Sequence, residues 1–382
     1  MIKVLHVISD SNIGGAGVLL CNLLACADKN QFDISVALPK ESAMIPRIEA
    51  LGISTIPLKS GADRSTDLRS IPELIAILRR IQPHILHTHS ALYARIAGKL
   101  CNLPITVNTR HCADQTETPS RKTQLWGYLE NCLNTHTIAT ANYVKDILVA
   151  RGLDPFRITV IHNGSLPVPS LPTKKHQVLA NELGVNRSCL VVGIVARLAE
   201  GKGHETFLHA AARCIKQTGN MEFLIVGDGE KRQELYRMAT ELNLRNKIHF
   251  LGFRSDVGRI MNLLDVNVNC SERSETSSLS LSEGMSLGVV PVVTDCGGNP
   301  FMTDFGACGA VFPVGDADAL ADILLSFARD RHRLAILSTA CRLRFAEHFT
   351  AKTMTAKTEA LYRNLLKASP TSIWTDTEDI LQ

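Results

Sequence analysis

What most constrains the fold of this chain is an alternation that starts at its first residues: short β-branched runs separated by amphipathic stretches. Val4 to Ile8, Ile34 to Leu38, Ile85 to His87 and Ile105 to Asn108 read as strands, and Val18 to Ala27, Met44 to Leu51 and Ile71 to Ile81 carry helical periodicity. This order predicts a parallel sheet covered by helices. Proline and small polar residues then collect from Ser165 to Thr173, the segment best suited to a linker. A second series follows, with strands predicted at Leu190 to Val195, Glu222 to Val226, Ile248 to Leu251, Val266 to Asn269 and Val289 to Val293. Helical patterns over Ala317 to Phe327, Leu334 to His348 and Thr355 to Lys367 close the chain. The expected fold class is α/β, as two Rossmann-like doubly wound domains facing across a cleft. The division expected is a first Rossmann-like domain over 1–168, a linker over 169–176 and a second Rossmann-like domain over 177–348. A C-terminal helix over 349–368 should pack back on the first domain, ahead of a polar, acidic, mobile tail over 369–382.

Composition narrows the class. With 382 residues, 45% hydrophobic and 20% charged, the chain has ample material for two cores and reads as globular rather than disordered. No apolar run approaches the roughly 20 residues a bilayer needs. Met1 to Ile8 lacks a small-residue cleavage site and reads as a buried first strand, so the expected location is the cytoplasm, including the inner face of the membrane. Eleven scattered cysteines without a C-x-x-C pair read as reduced, mostly buried thiols. A net charge of +4 is too small to argue for nucleic acid. Arg64, Arg69, Arg79, Arg80, Arg95, Lys99, Arg110, Arg121 and Lys122 do cluster in the first half. Solvated helix faces account for that cluster first, and an anionic acceptor or a membrane surface second.

Three constellations could carry chemistry. Ser9 to Gly17, with Gly14 and Gly15, lies between the first strand and the first helix, where backbone N–H groups can approach phosphate; a ligand-free tight turn explains it equally well. Arg197 and Lys202 stand five residues apart on a glycine-containing loop after the strand that opens the second domain. There a planar fork and a point charge could share one diphosphate. Ser271 to Met285 is the most specific: Glu275 at the mouth of a predicted helix over Leu279 to Leu287, Glu283 within it, and hydroxyl residues suited to capping and anion binding. His87 and His89 end a strand, but no third ligand is spaced to join them, so no catalytic metal is expected. Cys112, beside His111, lacks a supporting acid and is not read as a nucleophile.

Glu275-x7-Glu283, followed by Gly284-Met285-x-x-Gly288-x-x-Pro291-Val292-Val293, resembles the signature of family 4 of the GT-B glycosyltransferases. Further landmarks appear in order: Gly14-Gly15-Ala16, His87-Thr88-His89, Thr109-Arg110-His111, Ile161-His162-Asn163-Gly164, Arg197 with Lys202-Gly203, Val226-Gly227-Asp228-Gly229 and Phe250-Leu251-Gly252. The resemblance spans about residues 3 to 345. It implies that Arg197 and Lys202 bind a donor diphosphate, Glu283 the ribose hydroxyls and Glu275 those of the transferred sugar. His111 would stand beside the sugar and stabilise the reacting centre. Gly15, Gly227, Asp228, Gly252, Phe253, Ser277, Ser278 and Leu279 would complete the donor site, and Asn12, Gly14, His89 and Arg110 the acceptor side. Two departures stand out: Thr276-Ser277-Ser278 replaces the usual Gly-Phe-Gly turn, and Gly17 stands where an acidic residue often follows Gly-Gly-Ala.

The function this implies is retaining, metal-independent transfer of a sugar from a nucleotide sugar, foremost a UDP-sugar, to an acceptor hydroxyl in cell-envelope or surface polysaccharide synthesis. No further cofactor is required. The acceptor would be a glycan, a lipid-linked saccharide or a small molecule, with acceptor loops near Ser60 to Ser70 and Ala113 to Thr123. The competing readings are an epimerase or phosphorylase on the same plan, and a non-catalytic nucleotide-sugar sensor.

Overall fold

Residues 1–11, 14–59, 65–111, 120–244, 247–273 and 275–368 are described by the computed structural model. They form two units: residues 1–164 with the segment that begins at Ala351, and Ser165–Thr350. The first unit runs β1 (Ile2–Ile8), α1 (Gly15–Ala25), β2 (Phe32–Pro39), α2 (Ile45–Ala50), β3 (Ser54–Leu58), α3 (Ile71–Ile81), β4 (Ile85–His89), α4 (Leu92–Leu100), β5 (Thr106–Arg110), α5 (Arg121–Leu133), β6 (His136–Ala139), α6 (Asn142–Ala150) and β7 (Ile158–Val160). Its sheet is parallel, in the order β3-β2-β1-β4-β5-β6-β7. Local chemistry sets the helices. In α3, Pro72 opens the first turn, Leu74, Ile77 and Leu78 are buried at helical spacing, and Arg79 and Arg80 sit in the last turn before Gln82 ends it in a left-handed conformation. Burial of each such leucine or isoleucine stabilises the unit by about 1.5–3 kcal/mol.

The second unit runs α7 (Thr173–Leu183), β8 (Leu190–Val195), α8 (His204–Gln217), β9 (Met221–Val226), α9 (Arg232–Glu241), β10 (Ile248–Gly252), α10 (Val257–Met261), β11 (Val266–Asn269), α11 (Leu279–Leu287), β12 (Val290–Thr294), α12 (Asn299–Met302), β13 (Ala310–Phe312), α13 (Ala317–Arg329) and α14 (Arg331–Arg344). Its parallel order, β10-β9-β8-β11-β12-β13, reverses between β8 and β11, which pair through Val192 with Val266 and Ile194 with Val268. Residues 169–176, predicted as a linker, are laid on this unit. The Leu171 N–H donates to Asn262 Oδ1 at 2.8 Å, and α7 begins at Thr173.

The last helix, α15 (Ala351–Ala368), belongs to the first unit. Thr355 Oγ1 donates to the Leu23 carbonyl of α1 at 3.1 Å, and Tyr362 packs edge-on against Phe32 at 5.9 Å. The tail over 369–382 lies outside the described residues. Strands β3, β6, β7 and β13 have no counterpart among the predicted elements. They are three to five residues long, and polar residues such as Ser54, Thr55, His136 and Thr137 dilute their apolar signal. The ten cysteines among the described residues are free thiols, six of them buried.

Candidate functional site

The carboxyl ends of β8 and β11 flank the point where strand order reverses, the place where open α/β sheets bind ligands. The loop after β8 carries Arg197 and Lys202, and the loop after β11 carries Glu275. Glycines let these loops touch. Gly203 has φ +65°, and a Cβ there would meet the Cys270 carbonyl oxygen at 2.1 Å. Gly227 has φ +143°, and its Cβ would meet the Ala196 oxygen at 1.9 Å. The loops so joined bring Lys202 Nζ within 2.9 Å of Glu275 Oε2, which also accepts from Ser271 Oγ at 2.8 Å and Asn269 Nδ2 at 3.4 Å. Arg197 is exposed on the same loop and forms no ion pair among the described residues. A cation and a carboxylate in contact at the sheet edge, with a second cation nearby in sequence, can receive a ligand whose anionic and hydroxyl-bearing parts meet at one atom.

At the start of α11 the expected capping is corrected. Ser278 has the extended backbone of an N-cap, but its Oγ lies 3.1 Å from Ser280 Oγ and caps no backbone N–H. The first-turn N–H groups therefore keep the orientation in which helix starts bind anions. Thr276 and Ser277, in place of the glycine turn, are buried, and the Glu275 carbonyl accepts from the Gly298 N–H at 2.7 Å. Leu279 opens the helix half-buried. Glu283 projects from α11 largely out of water, and burial pushes its carboxyl up to about 6. No cation or side-chain donor pairs with it among the described residues. Asp228 closes its own turn, accepting from the Gly229 N–H at 2.9 Å and pairing with Arg232 at 3.0 Å. Gly252 accepts from the Gly227 N–H at 2.9 Å, and the following Phe253 is 78% exposed.

In the first unit Gly14 is the N-cap of α1 and Gly15 its first residue, both exposed. Gly17, the departure from the acidic pattern, has a packing cause: a Cβ there would fall 2.4 Å from Met44 Sδ. Arg110 is directed at Glu130 of α5, at 3.5 Å, in a group shared with the buried Arg95. Desolvation is the main cause holding the Arg95 guanidinium below its ordinary value, opposed by Glu130. His89 is buried, with Nδ1 3.1 Å from His111 Nε2. Asn12, Cys112 and most of the two expected acceptor loops lie outside the described residues.

The sequence spacing offered no third histidine beside His87 and His89; the sheet supplies one. Parallel pairing sets His6 of β1 against His87 of β4, and ring nitrogens of His6, His87 and His89 lie within 4.8 Å of one another. The available signal was a lone histidine among the apolar residues Val4, Leu5, Val7 and Ile8 of the first strand, and only register gives it neighbours. Most of these nitrogens are engaged, His6 Nδ1 with His89 Nε2 at 3.1 Å, and His87 with Tyr362 Oη and with Thr109 Oγ1 at 2.7 Å, while His6 Nε2 is buried without a hydrogen-bond partner among the described residues.

Two family models match the chain, glycosyltransferase family 4 over residues 13–165 and glycosyl transferases group 1 over residues 178–344. The chain is 29% identical over 313 residues to the UDP-Gal:alpha-D-GlcNAc-diphosphoundecaprenol alpha-1,3-galactosyltransferase of Escherichia coli, covering 78% of this chain and 80% of that one. Among solved structures, Anabaena HepE in complex with UDP and glucose matches with a TM-score of 0.82 at 20% identity, over 95% of this chain and 100% of that chain. A glycosyltransferase from Rickettsia africae matches with a TM-score of 0.83 at 19% identity, over 96% and 99% of the two chains. These structural likenesses show a shared GT-B fold.

Proposed function

The chain belongs to the group 1, family 4 glycosyltransferases, and from that membership we propose a retaining, metal-independent transfer of sugar from a UDP-sugar to a hydroxyl of a lipid-linked glycan during cell-envelope polysaccharide assembly. The observation that carries this reading is the 2.9 Å contact between Lys202 and Glu275. A sugar diphosphate has its hydroxyl-bearing ring and its anionic group joined at the anomeric carbon, so a touching cation and carboxylate match that junction. Arg197 and Lys202 bind the diphosphate, Glu275 the sugar hydroxyls and Glu283 the ribose. Gly227 and Gly252 support the loops, while Gly15, Ser277, Ser278 and Leu279 contribute backbone and hydroxyl contacts and Phe253 an apolar surface for the base. Asp228 serves by holding its turn.

In the reaction the bond from the anomeric carbon to the diphosphate oxygen breaks and a bond to the acceptor hydroxyl oxygen forms. Positive charge grows on the sugar ring and negative charge on the leaving oxygens. Fixed cations and helix N–H groups stabilise the latter, typically by about 3–4 kcal/mol per group, so no metal is needed for that task. The acceptor arrives on the leaving-group face, and its proton passes to a departing phosphate oxygen, which retains the anomeric configuration. His111 stands on the acceptor side and steadies the reacting centre, with Gly14 in the N-terminal loop.

The lipid-linked acceptor is supported by the Escherichia coli relative, named for its diphosphoundecaprenol acceptor, and by an exposed apolar face on α5. The relatives do not favour the epimerase, phosphorylase and sensor readings. Replacing Lys202 or Glu275 by alanine should lower the transfer rate by roughly 100-fold or more while each protein stays folded by circular dichroism. Wild-type turnover in both variants overturns the site assignment. Product anomeric couplings and turnover in excess EDTA test retention and metal independence.

A further inference from the structure

Glu130 of α5 offers one oxygen to two guanidinium groups. Its Oε1 lies 3.7 Å from Arg95 Nη1 and 3.5 Å from Arg110 Nη1, longer than ordinary N–H···O hydrogen bonds. Glu130 Oε2, Arg95 Nε and Nη1, and Arg110 Nε are buried with no hydrogen-bond partner among the described residues. Protein interiors leave few polar atoms in that state, so a group of them in one place calls for a cause. Beside the group lies a cavity of about 180 Å³, with Arg110, Thr123, Trp126, Glu130 and Arg151 in its lining. Arginine is charged at all ordinary pH, so Arg95, Arg110 and Arg151 set three cations against the one carboxylate of Glu130.

The excess positive charge suits an anion, and the volume suits a small one. Pockets for whole ligands run to roughly 300–1,000 Å³, and a water molecule takes about 30 Å³ of the liquid, so the cavity holds a group of phosphate size and not a nucleotide. Arg110 is placed to meet it: its side chain is 22% exposed and lines the cavity, whereas Arg95 is buried. Its planar fork can give two donors to two phosphate oxygens. When Arg110 turns to a phosphate, Arg95 still faces Glu130, so the carboxylate is not left without a cation. Trp126 lines the same cavity and is 51% exposed, on the apolar face it shares with Leu125, Tyr128 and Leu129. A phosphate held there has an apolar surface beside it for an esterified lipid chain.

We propose that this cavity receives a phosphate of the acceptor's lipid diphosphate, with Arg110 as its direct ligand, Arg151 as a second cation and Trp126 beside the first carbons of the lipid. The proposal rests on the reading of the acceptor as a lipid-linked glycan and gives that reading its anion site. The acceptor sugar separates its diphosphate from the hydroxyl that reacts, so the two groups need neighbouring but distinct places. Arg110 ends β5 and His111 follows it, which provides them. Arg95 acts through Glu130 as a positioning residue: it holds the carboxylate when the anion takes Arg110.

The test is isothermal titration calorimetry on the full chain saturated with UDP, so that the donor site is filled, with geranyl diphosphate as probe and inorganic pyrophosphate as its lipid-free counterpart. Geranyl diphosphate should bind about tenfold or more tightly than pyrophosphate, because its chain covers apolar surface. Arg110→Gln should weaken it about 10- to 100-fold, the scale of one lost charge-assisted contact. Glu130→Gln removes the opposing charge and should tighten it by roughly tenfold. A purely structural ion pair would not give opposite signs for its two members, and Glu130→Gln carries the test by itself if Arg110→Gln fails to fold. Affinity for geranyl diphosphate unmoved by either substitution, or pyrophosphate bound as tightly as geranyl diphosphate, overturns the proposal. The lipid-linked acceptor reading fails separately, if the site behaves as described while the wild-type chain transfers sugar only to acceptors without a lipid diphosphate.

Discussion

Glu283 is a carboxylate that burial holds partly out of its charged form. Its carboxyl, ordinarily near 4.5, is pushed up to about 6 by burial, and no cation among the described residues relieves it. Between those values the folded chain holds the proton more tightly than the unfolded chain. This contribution to stability is fully present below pH 4.5 and is lost as pH rises through about 6. At pH 7.5 the buried charge costs about 2 kcal/mol, the equivalent of about 1.5 pKa units. Glu283→Gln should therefore raise the Tm of the ligand-free protein by roughly 2–4 °C at pH 7.5 and leave it nearly unchanged at pH 4.5, while raising KM for the donor because the two carboxylate oxygens proposed to accept from the ribose hydroxyls become one neutral amide oxygen and an NH2 donor. Equal melting of the two proteins at pH 7.5 would refute the account. Lys202 and Arg197 show the complementary situation: one cation is held by Glu275 and the other is exposed without an ion pair among the described residues, so Arg197 can meet an anion without first breaking an ion pair.

At the scale of elements, α5 is the exception to the rule that a helix on a sheet buries one stripe. Only Gly127 is buried, because a Cβ there would meet the Arg151 carbonyl oxygen at 1.9 Å; the helix touches its unit through a glycine notch. Leu125, Trp126, Tyr128 and Leu129 are consequently 40–64% exposed, and Arg121 and Lys122 stand exposed in the first turn. An apolar, aromatic face with basic residues at one end suits the interface of an anionic bilayer. The full chain should float with phosphatidylglycerol vesicles and less with phosphatidylcholine vesicles. Trp126→Ser with Tyr128→Ser should abolish flotation while preserving turnover on a water-soluble acceptor. Equal recovery of the double variant with anionic vesicles would remove α5 from the membrane reading. Among the described residues no helix is long and apolar enough to cross a membrane.

At the scale of the whole molecule, a donor bound by the second unit should stabilise that unit first. UDP at 100 times its Kd should add about 2.7 kcal/mol to the unfolding free energy of whatever binds it. Hydrogen exchange on the full chain with UDP should accordingly show protection over residues 196–203 and 275–283. Protection confined to the first unit would contradict the division of labour proposed. The alternation that makes a doubly wound sheet was written locally, and so was legible: Ile71–Ile81, Leu190–Val195, Val266–Asn269 and Leu279–Leu287 stand where periodicity placed them. Motif loops were legible for the same reason, since they follow strands directly. The partners were not. Lys202 and Glu275 are 73 residues apart, His6 and His89 are 83 apart, and α15 returns to the unit that opened the chain. Arg110 and residues 169–176 likewise owe their partners to tertiary packing. Periodicity reports which face of a segment is apolar, a property of neighbouring residues. Which side chains meet depends on strand register and on loops brought together by glycine contacts, and neither leaves a repeating trace in the sequence.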